Sequence, residues 1–497
     1  MDYKLISTKL QKFKQFICDA RLNNVKYQEE AVKWCLEKEH SQYLNIGGGI
    51  IADEMGLGKT IVSLGLIVSN IKQRTLIVLP TALISQWKSK IETILGIEPF
   101  VYHGYNRTKT NKNFEDSFIV LTTYGVVSQY TINRTNSSNI DSTLFDIEWD
   151  RIIFDEAHHL RNNTNKNESA NLLKSNIKWC LTGTPIQNRQ KDIVMLFRIV
   201  GFEIKYIRLN IEYLIKHYML RRRLCDVGLS LPELKKETIQ VNSSIEEKIL
   251  CQMLAGDKQL KEDENFTNLY SLLDTKYYNR FVDLLRGDND NSDLTLLLRG
   301  RQMCIAPVLL KNKIDQLIQQ EHLDESYRDI YTYNSKIDTV AEKIITNKNN
   351  GNRKIIFSHF IGEIDEIYKM IVDSDNDELY NPVNVAIYKG SLTLKERKKI
   401  LDDDNVEVLI MQIQTGCEGL NLQQYSEMYM VSPDWNPALE DQAVARCHRQ
   451  GQQKETKIYR FVMNGKVNLD KYINSMQYKK REIMELIEEK RSEIIRN

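Results

Sequence analysis

The chain has 497 residues and a hydrophobic share of 42%, enough for two or three domains that each bury a core. Lys plus Arg (68) and Asp plus Glu (67) nearly cancel, so bulk charge gives no sign of a nucleic-acid partner and any basic track must be local. The eight Cys include no Cys-x-x-Cys pair, which argues against a zinc module and a disulfide framework, and no apolar run nears the roughly 20 residues that span a bilayer. The first residues lack the basic-then-apolar order of a secretory signal. A soluble intracellular protein without zinc or membrane contact is therefore expected.

The first informative segment is Asp53-Glu-Met-Gly-Leu-Gly-Lys-Thr60. Apolar Ile50-Ile51-Ala52 precede it as the end of a strand, and Ile61–Val68 follow as a helix. A turn carrying Gly56 and Gly58 between strand and helix leaves backbone N–H groups free for phosphate oxygens. Lys59 would reach the β- and γ-phosphates, and Thr60 would place its hydroxyl on Mg²⁺. Asp53 stands where the generic fingerprint has Gly.

Short apolar segments then alternate with helical ones: Thr75–Leu79, Phe118–Thr122, Ile152–Phe154 and Trp179–Thr182. The alternation predicts a parallel sheet covered by helices, with ligands at the carboxyl ends of its strands. Asp155-Glu156-Ala-His158 follows one such strand, so Asp155 is placed to hold Mg²⁺ and Glu156 to orient and deprotonate water. Leu181-Thr-Gly-Thr-Pro-Ile-Gln-Asn188 follows another, in a tight turn suited to rearranging when a γ-phosphate leaves. Asn133–Asn139 reads as a surface loop.

Between Phe202 and Ile337 long helical segments dominate, with charged Asp257–Glu264 and an Asp/Asn-rich turn at Gly287–Asp293. A second alternation follows, with strands at Lys354–Phe357, Val383–Tyr388, Val406–Met411, Glu427–Val431 and Thr456–Val462. In Asp441-Gln-Ala-Val-Ala-Arg-Cys-His-Arg-Gln-Gly-Gln452, the spacing of Arg446 and Arg449 predicts a shared helix face. Two guanidinium groups there suit the charge on a transferring phosphoryl group. Asp470–Asn497 reads as an amphipathic helix with Ile473, Met476, Ile483 and Ile487 on one face.

In this order the motifs resemble those of helicase superfamily two, in the form found in Swi/Snf-family ATPases. Tyr27-Gln28 resembles the glutamine motif that reads adenine, and the cradle resembles motif I, whose initial Asp is usual in the family. Leu79–Trp87 resembles motif Ia, Leu121–Tyr124 motif Ib, Asp155–His158 motif II and Leu181–Asn188 motif III. Ile356–Phe360 resembles motif IV, Thr415–Leu422 motif V and Asp441–Gln452 motif VI. Met219-Leu-Arg-Arg-Arg223 through Pro232 resembles the link after the first lobe. Trp179-Cys180, Arg161-Asn162 and Arg301-Gln-Met-Cys304 with Pro307 resemble the branch of helicase-like transcription factor and the Rad-type repair ATPases. That branch often carries a RING domain, but Cys225, Cys251 and Cys304 lack its paired spacing, so neither a RING nor ubiquitin-ligase activity is expected. Motif V departs from the family at Cys417-Glu418.

The resemblance implies an α/β chain of two RecA-like parallel-sheet lobes: residues 1–230, a helical insert or linker over 231–335, and 336–497 with the C-terminal helix. It implies ATP and Mg²⁺ between the lobes. Tyr27, Gln28, Asp53, Gly56, Gly58, Lys59, Thr60, Asp155 and Glu156 would come from the first lobe, and Gly419, Gln442, Arg446 and Arg449 from the second. Thr122, Thr123, Ser358 and Thr415 are the expected phosphate contacts of a nucleic acid lying across both. The implied activity is DNA-dependent ATP hydrolysis coupled to translocation on double-stranded DNA, remodelling or displacing bound protein, in the nucleus or another DNA-containing compartment. A DNA- or polymerase-binding factor that uses ATP as a switch, and an RNA helicase, are the alternatives. A DNA-bound protein, a nucleosome and RNA polymerase all remain open as further partners.

Overall fold

The structure is a computed structural model, and it describes residues 3–23, 25–104, 117–136, 141–161, 164–185, 191–244, 247–248, 251, 284–285, 292–374, 383–417, 420–464 and 468–496. The chain divides into two compact units, Met1–Ser230 with Lys480–Asn497, and Leu231–Lys479. Gly419, Ile186–Asn188, Asn162 and Asp257–Glu264 lie outside the described residues.

The first unit is built on a seven-stranded sheet of order β3-β4-β2-β5-β6-β1-β7. Its strands are β1 Gly49–Ile51, β2 Thr75–Leu79, β3 Phe100–Val101, β4 Ile119–Thr123, β5 Arg151–Phe154, β6 Lys178–Leu181 and β7 Met219–Leu220. Every pairing is parallel, as expected where helices cover both faces. The two-residue period of a strand sends alternate side chains to opposite faces. Ile50, Val78, Ile152 and Phe154 enter one core, while Ile51, Ile77, Leu79 and Ile153 enter the other. Helices Tyr3–Asp19, Lys26–Ser41 and Lys59–Ser69 pack on the second face through Phe13, Val32 and Val62.

The second unit repeats the plan with six parallel strands, in the order β10-β11-β9-β12-β13-β8. They are β8 Leu234–Val241, β9 Arg353–Ser358, β10 Val385–Tyr388, β11 Val408–Gln412, β12 Tyr425–Met430 and β13 Thr456–Met463. The segment expected as a helical insert thus contributes an edge strand, β8, which pairs along its whole length with β13. Its burial is mostly partial or none, so no apolar run marked it as a strand. The helices that follow, Ser292–Ile305 and Lys311–Gln319, send Leu296, Met303, Ile314 and Leu317 into the core that also holds Ile356, Ile410 and Tyr429 of the sheet. They cover the second sheet and share its core. Asn133 to Asn136, expected in a loop, close the helix Tyr124–Asn136.

The two parallel sheets establish the α/β class. No helix among the described residues is long and apolar enough to cross a membrane.

Candidate active site

β1 ends at Ile51, and the chain turns through residues 52–58 before the helix Lys59–Ser69 begins. Gly56 and Gly58 have φ of +95° and +80°, in the left-handed region that disfavours a Cβ. Gly58 is also closely approached, since a Cβ there would lie 2.4 Å from Gln28 Nε2. Gln28 is buried and donates from Nε2 to Leu57 O at 3.2 Å, so it rests on the cradle itself. Thr60 is the second residue of the helix.

Lys59 Nζ donates to Asp53 O at 2.7 Å and Glu54 O at 3.3 Å. Burial lowers the Lys59 pKa, against the opposing pull of Glu156, Asp53 and Asp155. The ammonium therefore feels both carboxylates that follow β5, and the first two motifs converge.

Asp155 leaves β5 with its amide donating to Val78 O at 2.8 Å. Its Oδ1 accepts from Glu156 N at 2.9 Å, its Oδ2 from Trp87 Nε1 at 2.7 Å, and its carbonyl from Tyr124 OH at 2.7 Å. Burial and the neighbouring Glu156 charge push its pKa up to about 6, while the Trp87 and Glu156 N–H bonds oppose the rise. Glu156 sits at φ 50°, ψ 48°, a strained conformation for a residue with a side chain. Its Oε2 lies 3.2 Å from His158 Nδ1.

A buried carboxylate whose burial is incompletely compensated, Asp155, beside the carboxylate of Glu156, is a suitable seat for a cation. Mg²⁺ bound with a nucleotide commonly takes only one or two carboxylates from the protein. Asp155 and the Thr60 hydroxyl fit that donor set.

The turn after β6 closes the same space. Thr182 Oγ1 accepts from Thr184 N at 3.1 Å, and a Cβ on Gly183 would lie 2.6 Å from Met55 Cγ and 3.6 Å from Lys59 Nζ. Arg161, buried, donates to Thr184 Oγ1 at 3.1 Å, and burial lowers its pKa to about 10.

A second set of residues, read in the sequence only as a link, ties these loops together. Arg221 Nη1 donates to Ala52 O at 2.8 Å and to Gly183 O at 2.7 Å. Arg222 N and Nε each donate to Asp53 Oδ1 at 3.1 Å, and its Nη2 pairs with Asp53 Oδ2. Its remaining Nη1 donates to Tyr27 O, and its guanidinium lies 5.6 Å from the Tyr27 ring centroid. Asp53, expected to face nucleotide, is fully buried and gives its carboxylate to Arg222, so its side chain fixes the loop instead. The Arg-Arg pair after an apolar dipeptide was the available signal, but its partners lie far away in sequence.

Three expected nucleic-acid contacts are corrected. Thr122, Thr123 and Ser358 are 0%, 1% and 0% exposed. Thr122 Oγ1 donates to Tyr102 O at 3.0 Å and Ser358 Oγ to Met411 O at 3.3 Å, while Thr123 Oγ1 accepts from Val126 N at 3.3 Å. A hydroxyl at the end of a buried parallel strand finds backbone partners, and these side chains do not present to a phosphate. Thr415 is half-buried in the short helix Ile413–Cys417.

In the second unit the helix Pro437–Cys447 carries buried Gln442 and, in its last turn, Arg446. The helix ends at Cys447, whose carbonyl accepts from Gln452 Nε2 at 3.2 Å, and the same Nε2 donates to Gln423 O at 2.9 Å. Arg449 thus lies beyond the helix, and the expected shared face is corrected. The two guanidinium groups still sense each other, for burial and then the charge of Arg446 lower the Arg449 pKa.

Residues 27–208 match the SNF2-related domain family, and residues 335–451 match the helicase conserved C-terminal domain family. The chain is 26% identical to a probable global transactivator of Orgyia pseudotsugata multicapsid polyhedrosis virus, covering 92% of this chain and 90% of that protein. It is 24% identical to the DNA repair protein RAD5A of Arabidopsis thaliana, over 84% of this chain and 56% of that protein. It is 26% identical to the ATP-dependent DNA helicase DDM1 of the same plant, over 87% of this chain and 58% of that protein. The chain thus spans little more than half the length of the two plant relatives.

Proposed function

This chain belongs to the Swi/Snf family of helicase-like ATPases, and from that premise we propose that it is a DNA-dependent ATPase that translocates on double-stranded DNA and remodels or displaces bound protein. The observation that carries the reading is the meeting of Lys59, Asp155, Glu156 and Gly183 around one space at the carboxyl ends of β1, β5 and β6. The duplex is chosen on the names of the relatives, which include DNA repair and DNA helicase proteins.

In this reading Lys59 exchanges two loop carbonyls for the β- and γ-phosphates, with the backbone of the glycine turn at Gly56 and Gly58 beside it. Tyr27 and Gln28 flank the adenine. Thr60 and Asp155 would hold Mg²⁺. The ion, when bound, offsets the charge that builds on the phosphate oxygens. Glu156, held in its strained conformation by Asp155 Oδ1, orients the attacking water and removes its proton.

Arg446 and Arg449 offset charge on the transferring phosphoryl group, with Gln442 on the same helix as Arg446. Gly183 lies close enough to Lys59 for its turn to respond when the γ-phosphate departs. Loss of that phosphate removes what recruits the arginines, and repeated engagement and release drives steps along the duplex.

Steady-state ATPase assays with no nucleic acid, single-stranded DNA, duplex DNA and RNA test the substrate. Strongest stimulation by duplex is expected, and stimulation by RNA alone would replace this reading with that of an RNA helicase. Triplex displacement tests movement: a third strand left in place during turnover would reduce the protein to an ATP-driven switch.

A further inference from the structure

Asp155 is gripped from two sides by the Leu79–Trp87 and Leu121–Tyr124 segments. Trp87 closes the Leu79–Trp87 string, and Tyr124 closes the Leu121–Tyr124 string. Trp87 lies in the helix Ile84–Leu95 after β2, and Tyr124 opens the helix after β4. The rings are 1% and 3% exposed. The indole N–H holds the Asp155 side chain and the phenol O–H holds its carbonyl, each at 2.7 Å.

The outer faces of the same segments differ in kind. Thr81, Ser85 and Ser89 are exposed, as is Gly125 beside Tyr124. Small polar groups and bare backbone at the carboxyl edge of the sheet suit phosphate oxygens. The first segment thus has exposed polar groups along its helix, Leu121–Tyr124 is buried throughout with the exposed Gly125 following it, and each turns a single aromatic donor inward onto one carboxylate residue.

That residue in turn holds Glu156, through Asp155 Oδ1 and the Glu156 amide. Each carboxylate oxygen has two acceptor sites, so the bonds from Trp87 and Glu156 leave one on each oxygen for a cation. A shift of either helix moves a donor that aims Asp155, and through Asp155 it moves the peptide that aims Glu156.

We propose that Trp87 and Tyr124 are positioning residues that transmit nucleic-acid occupancy of these two segments to the Mg²⁺-holding Asp155. The proposal rests on the DNA-dependent ATPase reading for its trigger, but the clamp on Asp155 stands separately. A buried Trp or Tyr whose polar atom is merely satisfied would support the fold and nothing else, and the test is designed to separate the two.

The full chain is compared with Trp87→Phe, which keeps an aromatic ring but loses the N–H, and with Tyr124→Phe, which removes only the hydroxyl. Affinity for a fluorescent non-hydrolysable ATP analogue is measured with Mg²⁺ and with EDTA. ATPase kcat and KM are measured with and without duplex, and duplex affinity by fluorescence anisotropy.

In Trp87→Phe the affinity gained from Mg²⁺ is expected to fall about ten-fold, as for other partners that orient a metal-holding side chain, with EDTA affinity unchanged. In both variants the stimulation of kcat by duplex should fall toward none while duplex affinity holds; KM without duplex should rise in Trp87→Phe in step with the lost Mg²⁺ gain and hold in Tyr124→Phe. Tyr124→Phe keeps the test valid if the Trp87 variant folds poorly. Wild-type Mg²⁺ gain and wild-type stimulation in both variants would overturn the proposal, and so would an equal loss of affinity with EDTA and with Mg²⁺. A wild-type enzyme that no nucleic acid stimulates refutes the DNA-dependent reading and the transmission with it, whereas loss of the Mg²⁺ gain in Trp87→Phe upholds the clamp on its own.

Discussion

Arg222 forks onto the carboxylate of Asp53, the first residue of the phosphate cradle, from a segment that enters the sheet much later in the chain. The Asp53 side chain is 1% exposed and that of Arg222 is 14% exposed, so water contributes little to either charge. Removing one partner of such a pair strands the other. Arg222→Ala is expected to lower stability by about 3 kcal/mol in urea unfolding. It should also weaken binding of a fluorescent nucleotide, because the loop loses its brace. Pairing it with Asp53→Asn should recover part of the stability. An unchanged urea midpoint in the single variant would show that the pair is dispensable.

Lys59→Ala removes the charge that the cradle offers to phosphate, and turnover should fall below detection in a coupled ATPase assay. Substantial residual hydrolysis would contradict the role given to Lys59. Gly58→Ala should act on the same loop by a different route. Its Cβ meets a left-handed backbone and the Gln28 amide 2.4 Å away, so strain of about 1–2 kcal/mol and displacement of Gln28 are expected. A rise in KM for ATP relative to GTP would report the displaced glutamine.

Glu156→Gln keeps size and hydrogen bonding but cannot take a proton. ATP should still bind with near wild-type affinity, while kcat falls by roughly 10²–10⁴. Filter binding alongside single-turnover hydrolysis separates the two, and intact cleavage would exclude Glu156 as the base.

Arg449→Ala should reduce kcat by about 10³ and leave nucleotide affinity nearly unchanged, since phosphate binding is assigned to the first unit. Affinity and kcat measured on the same preparation decide it. A large affinity loss with normal turnover would reverse the assignment.

Glu363 in the second unit has its pKa pushed from 4.5 up to about 7, chiefly by burial, with the His359 and Phe360 amides, Arg301 and Lys336 opposing. Its protonated form therefore suits the fold, and that stability is full below 4.5 and lost as pH rises through about 7. Glu363→Gln should flatten the pH dependence, with a differential of about 3 kcal/mol between acidic and mildly alkaline conditions. Parallel slopes of urea stability against pH in the two proteins would contradict this.

The cradle, the two carboxylates after β5, the paired arginines and ten of the thirteen described strands were legible in the linear chain, whereas β3, β7 and the largely exposed β8 were not. Each legible feature depends on neighbours in sequence: alternating apolar residues fill the two faces of a sheet, glycines permit left-handed turns, and a carboxylate ending a strand lies where ligands bind. Tertiary contacts decided the rest. Arg222 and Trp87 acquire their roles only because strand order brings them to Asp53 and Asp155, 169 and 68 positions away. Thr122 and Ser358 lose theirs because the same strands bury the hydroxyls that looked free, and the turn after the helix Pro437–Cys447 is tied down by Gln452 donating to Gln423 O, 29 positions away. Local pattern specifies which groups are present and how the backbone turns; only packing specifies which polar atoms remain for a ligand.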